Sequence, residues 1–179
     1  MKPFLLLSII FCCTFKLNAQ VAPTTNPNQA FDTSKKSLRA IAIKTIGKDS
    51  FKIKYSSPGV RNRVIWGRLV PYGEVWVTGA HNATTLEISR SIKISGITLA
   101  PGKYAIFTIP GKDEWTFIIN KNWEQHLAWD YSAEDDLLRL KVKPRPGPHL
   151  ERLQYFIEDG KISMAWEKLR IEIPFKVVK

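Results

Sequence analysis

Phe51-Lys52-Ile53-Lys54-Tyr55 sets Phe51, Ile53 and Tyr55 on one side of the chain and two lysines on the other. Successive side chains of a strand point to opposite faces, so this period of two marks a half-buried β-strand. The rhythm recurs along the chain. Leu86 and Ile88 alternate with Thr85 and Glu87, Ile92 and Ile94 with Lys93 and Ser95, and Leu138, Leu140 and Val142 with Arg139 and Lys141. Trp115, Phe117 and Ile119 repeat it, as do Leu153, Tyr155 and Ile157, then Ile162, Met164 and Trp166, then Ile171, Ile173, Phe175 and Val177. Tyr104 to Ile109 is apolar on both faces, as a central strand should be. Pro174 has no N–H donor, which places the last run at an edge or at a bend.

The connectors agree. Gly47-Lys48-Asp49 joins the first two runs, Ser95-Gly96 suits a tight hairpin, and Ala100-Pro101-Gly102-Lys103 has the Pro-Gly order of a type II turn. Pro110-Gly111-Lys112-Asp113 and Asp159-Gly160 are further turns. Many short strands joined in this way predict an all-β protein: a single antiparallel β-sandwich or barrel-like domain with one short helix at most. The one helical candidate is Asn122 to Leu127, which pairs Trp123 with Leu127 at i,i+4.

Upstream of these runs the texture differs. Lys2 followed by the apolar run Phe4 to Phe15, then Leu17-Asn18-Ala19, reads as a cleavable Sec-type signal peptide, too short to span a bilayer. Gln20 to Lys36 is rich in Pro, Thr, Asn and Ser and reads as a flexible leader. The expected division is therefore a signal peptide at 1–19, a leader at 20–36 and the β-domain at 37–179, with no transmembrane anchor after cleavage and a periplasmic or secreted destination in a Gram-negative bacterium. Cys12 and Cys13 both fall inside the signal, and Phe11 before Cys12 argues against lipidation. The mature chain would then hold no disulfide, thiolate nucleophile or Cys-ligated metal. The formal net charge is +11, and loss of Lys2 and Lys16 leaves +9. The cations are spread over strands and loops with no Arg-rich helix, so the balance favours anionic ligands or surfaces and no nucleic acid is expected.

One stretch breaks the rhythm: RNRVIWGRLVPYGEVWVTGAHNATT, from Arg61 to Thr85. Long ordered connections of this kind are more often functional or specially packed than incidental. Its Trp66-Gly67-Arg68-Leu69-Val70-Pro71-Tyr72-Gly73 follows Tyr55-Ser56-Ser57-Pro58 and precedes Leu99-Ala100-Pro101-Gly102-Lys103-Tyr104 with Phe107-Thr108-Ile109-Pro110. In these signatures, and in Trp115 to Lys121 and Asp136 to Pro144, the chain from about Lys36 to Lys179 resembles the domain-of-unknown-function family numbered 2911, found largely in exported proteins of Bacteroidetes-type bacteria. The resemblance implies a β-rich fold and no assigned activity. It also shows a departure. Where the family commonly reads W-R-T-G-A-N-E-A-T, this chain has Val77 for the Arg, His81 for the Asn and Asn82 for the acid. An Arg and a carboxylate there suit a polar ligand or a bidentate pair, and both charges are gone together.

The chemistry-bearing residues are sparse. His81, His126 and His149 are the three histidines, without H-E-x-x-H or other ligand spacing, so no metal site and no cofactor is expected. No G-x-S-x-G elbow and no phosphate-cradling glycine motif occurs. Ser56 and Ser57 before Pro58 read as turn chemistry, and Glu134, Asp135 and Asp136 as a solvated acidic turn. Six tryptophans remain. Trp115 and Trp166 alternate with aliphatic residues and read as core, whereas Trp66, Trp76, Trp123 and Trp129 lie in irregular segments and are candidates for a pocket wall.

Three functional readings follow. The favoured one is a non-enzymatic binding module of the cell envelope for a small molecule or glycan, with an anionic one suiting the basic surface. Its site is expected in the Arg61–Thr85 loop, from Arg63, Trp66, Tyr72, Trp76, His81 and Asn82, with Trp129 nearby. The second is a hydrolase-type enzyme with His81 or His126 as acid–base group and Asp130 or Asp136 as orienter. The third is an envelope interaction protein that holds a partner by a strand edge or by the leader.

Overall fold

The computed structural model describes residues 37–178. The expected signal peptide and leader lie outside the described residues. Eight strands appear before the last long hairpin: β1 (Ser37–Ile46), β2 (Asp49–Pro58), β3 (Thr84–Ile88), β4 (Ile92–Ile94), β5 (Ile97–Leu99), β6 (Gly102–Ile109), β7 (Trp115–Asn120) and β8 (Asp136–Val142). β9 (Arg145–Glu158), β10 (Lys161–Pro174) and β11 (Lys176–Val177) complete the chain. No α-helix occurs among the described residues, and a single 3-10 turn spans Ala133–Asp135.

The strands form an antiparallel six-stranded sheet in the order β1-β2-β3-β6-β7-β8, a β9–β10 hairpin, and a three-stranded sheet in the order β11-β4-β5. The large sheet is open, with β1 and β8 as its edges, so the architecture is a sandwich rather than a closed barrel. The hairpin lies across its inner face, β9 against β1 and β2 and β10 against β8. The corner between β2 and β9 is tied by the Ser57 hydroxyl, which donates to the Leu153 carbonyl at 2.6 Å, and by the Val60 N–H on the Glu151 carbonyl at 2.7 Å.

Alternation decides which side chains meet. Phe51, Ile53, Leu86, Ile106, Trp115, Phe117 and Ile119 point inward and pack against Leu153, Met164 and Trp166 of the hairpin. β6 and β7 are buried on their outer face too, where Ala105, Phe107 and Ile118 are covered by Val77 and Ala83 of the long loop. Tyr104 to Ile109 is thus an interior strand, as its two apolar faces predict.

The long loop is fixed by tryptophan. The Trp66 ring lies 4.8 Å from Trp115, 5.8 Å from Trp166 and 6.0 Å from Trp76 between centroids, each edge to face. Trp76 stacks on Trp166 at 5.9 Å. The Nε1–H groups of Trp66, Trp115 and Trp166 are buried without an oxygen partner among the described residues. The tilted packing turns positive ring edges toward neighbouring π faces, which offsets part of that loss. Gly67, at φ +80°, lets the turn lie against the Tyr72 ring, which a Cβ would meet at 2.8 Å.

Three local expectations change. Gly102 is not among the residues of positive φ, so Pro101-Gly102 does not form a type II turn; β6 starts at Gly102 instead. Asn122 to Leu127 is not helical: Leu127 has φ 54°, its N–H donates to the His81 carbonyl at 2.7 Å, and the Gln125 carbonyl accepts the Ala83 N–H at 3.0 Å. These bonds to a distant loop replace the i→i−4 bonds that the Trp123–Leu127 spacing suggested. The runs at Ile162 and Ile171 are one strand, β10, bent by a register shift at Glu167, whose φ is 55°. Pro174 closes β10, and the chain resumes as β11 in another sheet.

Replacing Trp166 by alanine removes a fully buried indole from the four-ring cluster and should lower unfolding free energy by about 3–5 kcal/mol in urea melts. Trp123→Ala, at a half-buried ring packed on the smaller outer cluster, should lower it by less than Trp166→Ala does.

Candidate functional site

On the outer face, the sheet is covered by loops over β6 and β7 but open over β1, β2 and β3. The step between the two halves is a groove of about 630 Å³. Its floor is the outward row of the strands: Arg39 and Ile41 from β1, Lys54 and Ser56 from β2, Thr85 from β3 and Lys103 from β6. Its wall is made where two loops meet, at Asn82 and Ala83 on one and Trp123 to His126 on the other.

The wall follows from an excursion of the chain. Trp76 pairs with Thr108 of β6 through two backbone bonds of 2.8 and 3.0 Å, in line with the later β3. The chain then leaves the sheet at Thr78, φ 50°, and rejoins it at Thr84, whose N–H donates to the Val77 carbonyl. Gly79 passes so close to Thr84 and Ser56 that a Cβ would meet the Thr84 hydroxyl at 2.8 Å and the Ser56 carbonyl at 3.1 Å. The excursion presents His81, φ 64°, and Asn82 outward. Asn82 Oδ1 lies 3.2 Å from His126 Nδ1, and Trp129, exposed to 77%, sets its ring 5.4 Å from the imidazole.

The charge of the groove is positive. Lys103 Nζ sits 3.2 Å from the centroid of Trp123, so the indole holds the ammonium against the wall without neutralising it. Lys54 shares Glu87 with Lys52, at 3.2 and 2.9 Å, so one carboxylate serves two ammoniums. The Lys52 hydrogen bond, with Lys54 adding to it, holds the Glu87 carboxyl below the usual carboxylate range. No carboxylate pairs with Arg39 among the described residues, and Glu124 is the one acid in the lining.

The structure places the expected site residues apart. Asn82 lines the groove, with His126 beside it and Trp129 just beyond. Trp66 and Trp76 point into the core cluster, and Trp76 Nε1 donates to the Gly79 carbonyl at 3.1 Å. Arg63 is bound locally to the carbonyls of Gly59 and Val60, and Tyr72 lies against Gly67. His81 is exposed and contributes its carbonyl to Leu127. Asp130 is exposed, and the partner of His126 is an amide rather than a carboxylate. Asp136 is not in a solvated turn: its carboxylate accepts from Tyr131 at 2.6 Å and from Asn120 at 2.9 Å, with Arg139 at 3.4 Å. Among the described residues, no three His, Cys, Asp or Glu side chains gather as a metal set. Val77, where the resemblance expects Arg, is buried against β6 and β7, while Asn82, where it expects an acid, is in the groove.

The lining missed by sequence reasoning is Arg39, Lys54 and Lys103. The signal was present as the polar row of the alternating strands, which reads equally as a solvated face until a wall stands beside it.

Beneath the groove lies a phenolic pair. Tyr55 lines it, and its ring meets Tyr155 edge to face at 4.9 Å. Tyr155 donates to the Thr78 carbonyl at 3.1 Å, anchoring the excursion from below.

A family model described as protein of unknown function (DUF2911) matches residues 37–175. No curated protein and no solved structure matches the chain. No helix among the described residues is long and apolar enough to cross a membrane.

Burial pushes Tyr55 from 10.0 up to about 12, and burial together with the Asp136 hydrogen bond does the same to Tyr131. Burial raises Tyr155 well above its ordinary value. Below pH about 10 both folded and unfolded chains keep these protons, and the contribution to stability is complete. Between about 10 and 12 the unfolded chain ionises first, so stability falls as pH rises. The urea midpoint should therefore drop steeply across that window, and Tyr131→Phe should flatten the drop; equal slopes for the two proteins would contradict the assignment.

Proposed function

The chain belongs to the DUF2911 family of proteins of unknown function, and from the groove we propose that it is a non-enzymatic binding module of the cell envelope for a small anionic molecule or an acidic glycan. The observation that supports this is the convergence of Arg39, Lys54 and Lys103 on one groove that also offers a fixed indole and the amide of Asn82. A carboxylate or phosphate would displace water between Arg39 and Lys103, and charge-assisted bonds to such groups contribute about 1.5–3 kcal/mol each. The apolar face of a sugar ring suits the flat, exposed surface of Trp129. Export by the N-terminal signal and an envelope destination belong to the same proposal.

The binding reading has more support than the hydrolase reading because His126 is oriented by Asn82, and Asp136 is consumed by Tyr131, Asn120 and Arg139. An acid–base pair needs the two groups within hydrogen-bond reach of each other or of one substrate.

Calorimetry against uronic acids, sugar phosphates and short organic acids should give saturable heat at low salt. Arg39→Gln and Lys103→Gln should each weaken it about tenfold without lowering the melting temperature. Raising the ionic strength from about 0.05 to 0.5 M should weaken it further by screening. Absence of heat across the panel, or affinities untouched by both variants, would reject the groove as the site.

A further inference from the structure

The other edge of the six-stranded sheet carries a second cleft, of about 810 Å³, bounded by β8, β4, β11 and the end of β10. Its floor is apolar, with Leu140 and Val142 from β8 and Phe175 from the break between β10 and β11. Its rim is cationic. Lys93 and Lys176 stand directly opposite each other in the β4–β11 pairing, which consists of only two residue pairs. Opposed residues on antiparallel strands share a face with Cβ atoms about 5 Å apart, so like charges there oppose the pairing. Lys143 adds a third ammonium from beyond the end of β8.

The one acid in the lining, Glu172, does not relieve this excess. Lys161 Nζ lies 3.0 Å, Arg170 Nε 3.1 Å and Arg145 3.8 Å from its oxygens, so three cations already share it. Lys93, Lys143 and Lys176 have no carboxylate partner among the described residues. A repulsive lysine pair at the rim of a recess whose apolar floor is half-buried at Leu140 and nearly buried at Val142 and Phe175 is a poor arrangement for stability alone. It is complementary to a molecule that is anionic at one end and apolar along its body.

We propose that this cleft binds an amphiphilic anion, its alkyl body on Leu140, Val142 and Phe175 and its phosphate or carboxylate between Lys93, Lys176 and Lys143. That chemistry comes either from a free amphiphile or from lipid in a bilayer, and the cleft, being a recess at a sheet edge, fits the free molecule. The site is independent of the outer-face groove and shares no lining residue with it.

The test is calorimetry on the protein at low salt with decyl phosphate below its micelle concentration, decanol and inorganic phosphate, with sedimentation on phosphatidylglycerol vesicles in parallel. Decyl phosphate should bind at one equivalent, and more tightly than either decanol or inorganic phosphate. Lys176→Gln should weaken it about tenfold, while the unliganded variant melts no lower than the parent because a like-charge pair is relieved. Lys103→Gln, in the other groove, should leave it unchanged. No binding of decyl phosphate, equal binding of decanol or of inorganic phosphate, or full affinity in Lys176→Gln would each overturn the proposal. Sedimentation with vesicles without uptake of the free amphiphile would overturn it in favour of a membrane-facing surface.

Discussion

Four indoles carry the weight of this fold. Trp115 comes from an interior strand, Trp166 from the hairpin across the sheet, and Trp66 and Trp76 from one long irregular segment. Ordering such a segment costs about 1–2 kcal/mol of backbone entropy per residue. Its exposed arginines and glycines give nothing to oppose that. Burial of Ile65, Val70 and Val77, with partial burial of Trp66 and Trp76 against the core, does. The indole contacts bring the loop, the sheet and the hairpin to one place, and everything on the outer face inherits its position from them. With Trp76 bonded to Thr108, the excursion through Gly79 has fixed ends, and Asn82 and Ala83 are delivered to the loop at Gln125 and His126.

Charge then acts on a scaffold already set. Most acids are consumed by cations in pairs or small networks at the surface, such as Glu87 with Lys52 and Lys54. Exposed pairs of this kind add little to stability. What matters is the positive charge they leave behind, part of which lines two recesses, the groove over β1 to β3 and the cleft along β8. In each, apolar and cationic groups face the same space.

Much of this was legible in the sequence, for a physical reason. Alternation such as Phe51-Lys52-Ile53-Lys54-Tyr55 reports burial directly, since a strand has only two faces. The double-sided run Tyr104 to Ile109 reported its interior place, and Pro174 its break. Trp115 and Trp166 were recognisable as core because they sit in register with aliphatic neighbours. Trp66 and Trp76 were not, because a loop has no period, and an indole in an irregular segment reads alike whether it faces solvent or core. The helical spacing of Trp123 and Leu127 misled for a related reason: the backbone bonds of Gln125 and Leu127 go to residues some forty positions earlier in the chain, Ala83 and His81, which no local pattern encodes. The groove was half visible. Asn82, His126 and Trp129 stood out as unusual residues in unusual segments, whereas Arg39, Lys54 and Lys103 were hidden among ordinary outward-facing lysines and arginines.

The dependence of the outer face on the indole cluster is open to native-state hydrogen exchange. Amides of Val70, Trp76, Ala83 and Leu127, each bonded to a backbone carbonyl within or beyond the loop, should exchange only with global unfolding, with the same protection as the amides of β6 and β7. If these four exchange orders of magnitude faster than the central strands, the loop opens on its own, and the indoles do not hold it.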